Sequence, residues 1–315
     1  MPHAIGFDIG GTKIAAGLVH LQSGEVTGVT VKPSHVERGG DALLADVESI
    51  LRDLIGFAIS TGAAPQCIGL GLPELVGRNG EVLSAALFDW RTINVVEKLR
   101  IKTLVQHVWL DADVRAAAAA EAHWGAGRGS CRFLYVTIGT GISCCLVLDG
   151  LPDVGVKGLT GTFASSALSV PSSSGQIIST IHLEQFASGP ALVARYQTLH
   201  PDFNGSTHDL LFLGDEGNPE ANEIISSAGI AVGSACAHLV NVLDVDRIVI
   251  GGGLGVASAS LLQTIKRTVR DGVWSEHHRN IEVIKAELGA LSGVIGAGLQ
   301  ASQTMGRFVG LHSRF

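Results

Sequence analysis

AIGFDIGGTKIAAGLVHLQSGEV, residues 4–26, sets apolar residues on both sides of a Gly-Gly-Thr-Lys turn. The pattern predicts a strand, a glycine turn and an antiparallel return strand. Residues 133–150, FLYVTIGTGISCCLVLDG, repeat the plan. Laying DIGGTKIAAGLV (8–19) over TIGTGISCCLVL (137–148) aligns the apolar positions and the glycine turns. Two copies, each heading a run of mixed strands and helices, predict an α/β chain built from two related lobes.

The segments between follow the same logic. DALLADVESILRDLIGFAIS (41–60) has the 3.6-residue period of an amphipathic helix, and CIGLGLPELV (67–76) reads as a buried strand running into a loop. Residues 158–182 are rich in Ser, Thr and Gly and read as a long surface or interlobe segment. Helices are expected near 184–197, 219–242 and 257–271, a strand at RIVIGGG (247–253), another at IEVIKAEL (281–288), and a helix from Ser292. The lobes are expected to divide as 1–112 and 113–299, with the helix near 300–315 packing on the first.

Composition excludes several functions. The 315 residues are 46% hydrophobic and 16% charged, too apolar for a disordered chain. A net charge of −7 with no Lys/Arg run argues against a nucleic-acid partner. Five scattered cysteines without a C-x-x-C read as reduced thiols, and no basic stretch leads into an apolar one at the start, so a cytoplasmic protein is expected. Residues 224–243 are uncharged, but their serines, His238 and Asn241 favour a buried helix over a membrane span.

Glycine turns of this kind suit phosphate. Gly10 and Gly11 permit positive φ and let backbone N–H groups approach an anion, Thr12 and Lys13 add a hydroxyl and an ammonium, and Asp8 can hold Mg²⁺ through water. Thr137, Gly139, Thr140 and Gly141 could grip a second phosphate. Gly251, Gly252 and Gly253 follow a strand and precede a helix, where N-terminal N–H groups favour anions.

Together FDIGGTK, TIGTGIS, NVLDVDRIVIGGG and GALSGVIGAG resemble, in order and spacing over nearly the whole chain, the ROK family of carbohydrate kinases. The resemblance implies a two-lobed actin/hexokinase-like (ribonuclease H-like) fold, with ATP and substrate in the cleft between the lobes. In WLDADVRAAAAAEAHWGAG (109–127), counting back from Glu121 and WGAG places Asp113 on the family's catalytic aspartate. There a carboxylate orients the acceptor hydroxyl and takes its proton, and helix-start N–H groups are expected to keep it ionised. Asp111, two residues earlier, reads as a cap or scaffold, although two carboxylates so close could raise each other's pKa.

The departures from the family concern the acceptor. Glu74 in GLPE stands where a Gly is usual, Ala86 in SAALFDW where the sugar-binding Asn is usual, and Thr162 and Ser165 in GLTGTFASS where a Glu and a His are usual. Glu184 in HLEQFASGPAL matches the sugar-contacting Glu, whereas His182 replaces a zinc-binding Cys. Structural zinc is therefore not expected. The candidate substrate residues are Glu74, Asp89, Asp113, Thr162, Ser165 and Glu184, with Glu74 alternatively a solvated loop acid. The expected activity is ATP- and Mg²⁺-dependent phosphorylation of a small cyclic polyol other than glucose, with a cyclitol or C7-cyclitol favoured. The alternatives are a hexose or N-acetylhexosamine kinase and a non-catalytic sugar-sensing regulator; a homodimer is expected, without nucleic-acid or membrane partners.

Overall fold

A computed structural model describes residues 2–103, 105–171 and 177–312, with side chains outside 168–179 and 306–312. Two compact units make up the chain: 1–129 with 150–160 and 290–315, and 130–149 with 161–289.

The first unit is built on β1 (His3–Ile9), β2 (Lys13–His20), β3 (Val26–Pro33), β4 (Pro65–Leu72) and β5 (His107–Ala112), in the order β3-β2-β1-β4-β5. β1 pairs antiparallel with β2 and parallel with β4, and β4 pairs parallel with β5. Helix α1 (Gly40–Ser60) buries Leu43, Leu44, Val47, Ile50, Leu51 and Leu54 in the core with Ile5, Phe7, Ile9 and Ile68. Asn94 caps α2 (Val95–Lys102) by accepting from the Glu97 N–H.

Helix α3 (Asp113–Trp124) and the last helix, α10 (Ser292–His312), pack on each other and on β4 and β5. The boundary expected at 112/113 therefore falls at 129/130, because the alanine face of α3 is covered by α10 of the same unit. The helices meet backbone to backbone: a Cβ on Gly296 would overlap the Ala116 carbonyl oxygen. Gly296→Ala is expected to destabilise the chain by about 1–3 kcal/mol through overpacking, read as a lower urea midpoint.

In the second unit β6 (Arg132–Ile138) pairs antiparallel with β7 (Ile142–Leu148) and parallel with β11 (Arg247–Gly251), which pairs parallel with β12 (Glu282–Lys285). This is the pairing pattern of β2-β1-β4-β5, so the repeat legible in the sequence is a repeat of topology. Its register corrects the gapless alignment. Ile9 pairs with Ile14 across four residues, Ile138 with Ile142 across three, so Ile142 is the counterpart of Ile14 and the first turn is one residue longer.

Between β7 and β11 lie β8 (Leu151–Pro152, part of the first unit), β9 (Ala167–Pro171), β10 (Ile177–His182), α4 (Leu183–Ala187), α5 (Gly189–Leu199), α6 (Thr207–Asp215) and α7 (Pro219–Leu243). Part of the segment expected as a loop thus pairs as the antiparallel hairpin β9-β10; residues 172–176 lie outside the described residues. The single helix expected over 184–197 is broken at Ser188, whose hydroxyl caps α5 on the Ala191 N–H. Helix α7 is the one described helix long and apolar enough to cross a membrane. It buries Ile224, Ile225, Val232 and Val240 in the core of its unit and packs on α9 (Ala259–Gly272).

Candidate active site

In the first unit, register brings the acidic residues together. Asp8 on β1 pairs with Gly71 on β4, which pairs with Asp111 on β5; one residue beyond Ala112, Asp113 opens α3. Partners across a parallel ladder share a face, and here the shared face meets α10: Gly293 lies against the Asp8 carboxyl, and Gln300 donates to Asp111 Oδ2 at 2.8 Å.

Asp113 accepts from the Val114 N–H at 2.6 Å. Burial, and then the charge of Asp8, nevertheless raise its pKa to about 7. The helix-start N–H groups are outweighed, and the repelling neighbour is Asp8 rather than Asp111. Burial likewise raises Asp8 to about 6 against the opposing charge of Lys13. Asp8 has no hydrogen-bond donor among the described residues, whereas Asp111 is fully engaged by Arg115, the Ala112 N–H and Gln300.

Arg115, the basic residue beside the two aspartates in sequence, is the one to which sequence reading assigned no role. Its Nε donates to Asp111 Oδ1, Nη1 to the Gly158 carbonyl at 3.0 Å and Nη2 to the Val76 carbonyl at 2.6 Å. The pair is buried and ties α3 to two loops of its unit. Its i,i+4 spacing was the available signal.

The first glycine turn is closed by the Gly10 N–H donating to the Lys13 carbonyl at 2.8 Å. Neither Gly10 nor Gly11 has positive φ, contrary to expectation. At Gly11 a Cβ would stand 3.0 Å from Leu87 Cδ1, a tight contact to which the leucine side chain would have to yield. Thr12 and Lys13 are exposed, and the N–H groups of Gly11 and Thr12 have no acceptor among the described residues.

Glu74 is neither a solvated acid nor an open acceptor. It is buried, with Oε1 accepting from the N–H groups of Leu87 and Phe88 and Oε2 from the Ala86 N–H and the Ser84 hydroxyl. Four donors occupy the roughly four lone-pair sites of a carboxylate. Asp89 is exposed and bound by the Arg91 guanidinium through both oxygens, which holds its pKa down to about 2. Glu74 does not stand free to meet an acceptor molecule, whereas Asp89 would do so by giving up an exposed ion pair.

In the second unit two predicted glycine turns lie side by side. The Gly139 N–H donates to the Gly141 carbonyl at 2.9 Å, and its own carbonyl accepts from Gly189 at the start of α5. Gly252, at φ 78, packs on the Ile138 backbone, where a Cβ has no room, and follows Gly251 at the end of β11. Gly253 opens α8 (Gly253–Ala257), a helix of little more than one turn. Glu184 braces the first of these turns, accepting from the Ile142 N–H at 2.8 Å beside Gly141. Thr137 is half-buried and Thr140 exposed; Thr162 and Ser165 are exposed on the segment whose Gly161 carbonyl accepts from Cys144 N–H and Ser143 Oγ.

Residues 4–304 match the ROK family. A glucokinase of Halalkalibacterium halodurans is 28% identical over 318 residues, spanning 95% of this chain and 94% of its own. A kanosamine kinase of Amycolatopsis mediterranei is 27% identical over 307 residues, spanning 94% and 95%. The ROK family glucokinase from Streptomyces griseus, solved in complex with glucose and AMPPNP, superposes with a TM-score of 0.82 at 24% identity, covering 96% of this chain and 99% of that one. With its doubled strand pattern and matched turns, the chain has the two-unit actin/hexokinase-like fold and belongs to the ROK family.

Proposed function

We propose that the chain is an ATP-dependent kinase for a hydroxyl of a small cyclic polyol, with Asp113 as the base. The observation that carries this reading is the Asp8–Asp113 pair, two half-buried carboxylates, one near the end of β1 and one at the head of α3, whose pKa values are pushed toward neutrality. The family's relatives include sugar kinases by name, which supports the reaction class.

The residues present fit a magnesium nucleotide. Among the described residues Asp8 offers a hard oxygen donor without a protein hydrogen bond, and Gly11 and Thr12 offer N–H groups without an acceptor, next in sequence to Lys13. Magnesium-bound ATP supplies the γ-phosphoryl group. In the second unit, Thr137, Gly139, Thr140, Gly141 and Gly251–Gly253 would bind the remaining phosphates through backbone and hydroxyl donors. Asp113 would hold the acceptor hydroxyl in line and take its proton as the O–P bond forms.

The acceptor is proposed to be other than ordinary glucose, with a cyclitol favoured. Ala86 offers no side-chain hydrogen bond, Thr162 and Ser165 offer only hydroxyls, Glu74 is committed elsewhere, and Asp89 is held in an exposed pair with Arg91. So sparse a set pairs few hydroxyls, and an unpaired polar group costs selectivity. Glu184 remains as a substrate candidate, through the oxygen not given to Ile142. The second reading, a hexose or hexosamine kinase, is favoured by the kanosamine kinase relative. An ADP-release assay over hexoses, amino sugars, inositols and C7-cyclitols tests both, and strong turnover of glucose alone overturns the proposed acceptor class.

The pH profile gives a further prediction. A base must be deprotonated to act, so activity falls as pH drops through its pKa. The acid limb of kcat/KM is expected near pH 7 rather than near 4, because burial and Asp8 raise Asp113 to about 7. Asp8→Asn removes the repelling charge and moves the limb to lower pH; a limb near 4 in the parent would refute the raised base.

A further inference from the structure

We infer that Glu74 is a positioning residue: its carboxylate locks residues 84–88 in one conformation and so holds Leu87 against Gly11 of the phosphate turn. The inference rests on the kinase reading of that turn and goes beyond it, since Glu74 touches neither nucleotide nor acceptor in this role.

The local chain explains the arrangement. Residues 75–83 form a small hairpin, bridged at Val76 and Val82, with Gly77 N–H on the Glu81 carbonyl and Leu83 N–H on the Leu75 carbonyl. The hairpin returns the chain to its own base, where Glu74 sits. Three consecutive amides, those of Ala86, Leu87 and Phe88, then converge on one carboxylate, the concave backbone arrangement that elsewhere captures a free anion. The Ser84 hydroxyl donates to Glu74 while accepting from the Leu75 N–H, which fixes the turn's entry.

Its exit is fixed by packing. Phe88 and Trp90 are buried with ring centroids 4.7 Å apart, and Trp90 Nε1 donates to the Gly40 carbonyl at 2.8 Å. Leu87 stands between these anchors, 45% exposed, yet its Cδ1 crowds the open side of Gly11. One buried side chain therefore shapes the loop beside the phosphate turn.

Glu74→Gln tests this at nearly unchanged volume, because an amide nitrogen cannot accept and would face N–H and O–H donors. Amide hydrogen exchange at 86–88 in the full chain is expected to quicken about tenfold or more, since the lost bonds protect those N–H groups. The KM for ATP is expected to rise about tenfold with kcat changed less than about threefold, the split expected of weakened binding rather than chemistry. A merely structural residue would lower the folded fraction and leave the KM for ATP in place.

Ser84→Ala, which removes a single donor, should show a weaker form of the same exchange effect. Unchanged exchange at 86–88 in Glu74→Gln overturns the clamp. Faster exchange with an unchanged KM for ATP overturns positioning. If the parent chain transfers phosphate to no acceptor, the kinase reading fails while the exchange measurement still decides the clamp.

Discussion

Asp113→Asn is expected to lower kcat about 10³-fold, within the range contributed by a positioned general base, while ATP affinity stays close to that of the parent. The amide keeps the shape and one acceptor oxygen but cannot take the hydroxyl proton. Single-turnover phosphoryl transfer beside equilibrium nucleotide binding separates the two effects. Turnover within tenfold of the parent would place the base elsewhere.

The same substitution carries a stability signature of opposite sign. The carboxyl's pKa is raised on folding, so its contribution is fully present below about pH 4 and is lost as pH rises through about 7. Asparagine has no such loss. The variant should therefore match the parent near pH 4 and exceed it by an amount on the order of 2–4 kcal/mol at pH 8. Urea midpoints taken across that range provide the check, and a variant less stable than the parent at pH 8 contradicts the buried-charge account.

Arg115→Met is the second substitution with a large expected effect, and it falls on stability first. Removing the guanidinium leaves Asp111 buried without its counter-charge and strips donors from the Val76 and Gly158 carbonyls. Breaking one side of a buried ion pair costs about 3–5 kcal/mol, which lowers the melting temperature by about 10 °C in a unit of this size. Asp111→Asn together with Arg115→Met should recover part of the loss, because the stranded charge is gone while the two carbonyls remain unpaired. A double variant no better than Arg115→Met alone would show that the carbonyl bonds, not the charge, carry the effect.

Much of the fold was legible locally. The two hairpins announce themselves by apolar residues flanking glycine turns, α7 by its length, and the start of α3 by Asp113 ahead of five alanines. What stayed hidden depends on partners distant in sequence. The alanine run could not reveal that its cover is α10, some 180 residues on, so the unit boundary was set too early. Glu74 reads as a loop acid in GLPE because its donors arrive only after an intervening hairpin. The alternation in β3, Val26–Pro33, was available and passed over; five of its eight residues are exposed and none is buried, as on an edge strand. Candidate site residues were legible by motif, and their commitments to one another were not.

The place of α10 bears on how the chain is made. Its Gly293, Ala297 and Gln300 complete the face of β1, β4 and β5, yet they leave the ribosome after all of residues 161–289. Until then the first-synthesised strands keep an apolar side bare, and their long-range closure is slow. The half that begins first closes last, so a nascent polypeptide stalled before Ser292 is expected to leave its first unit unfinished.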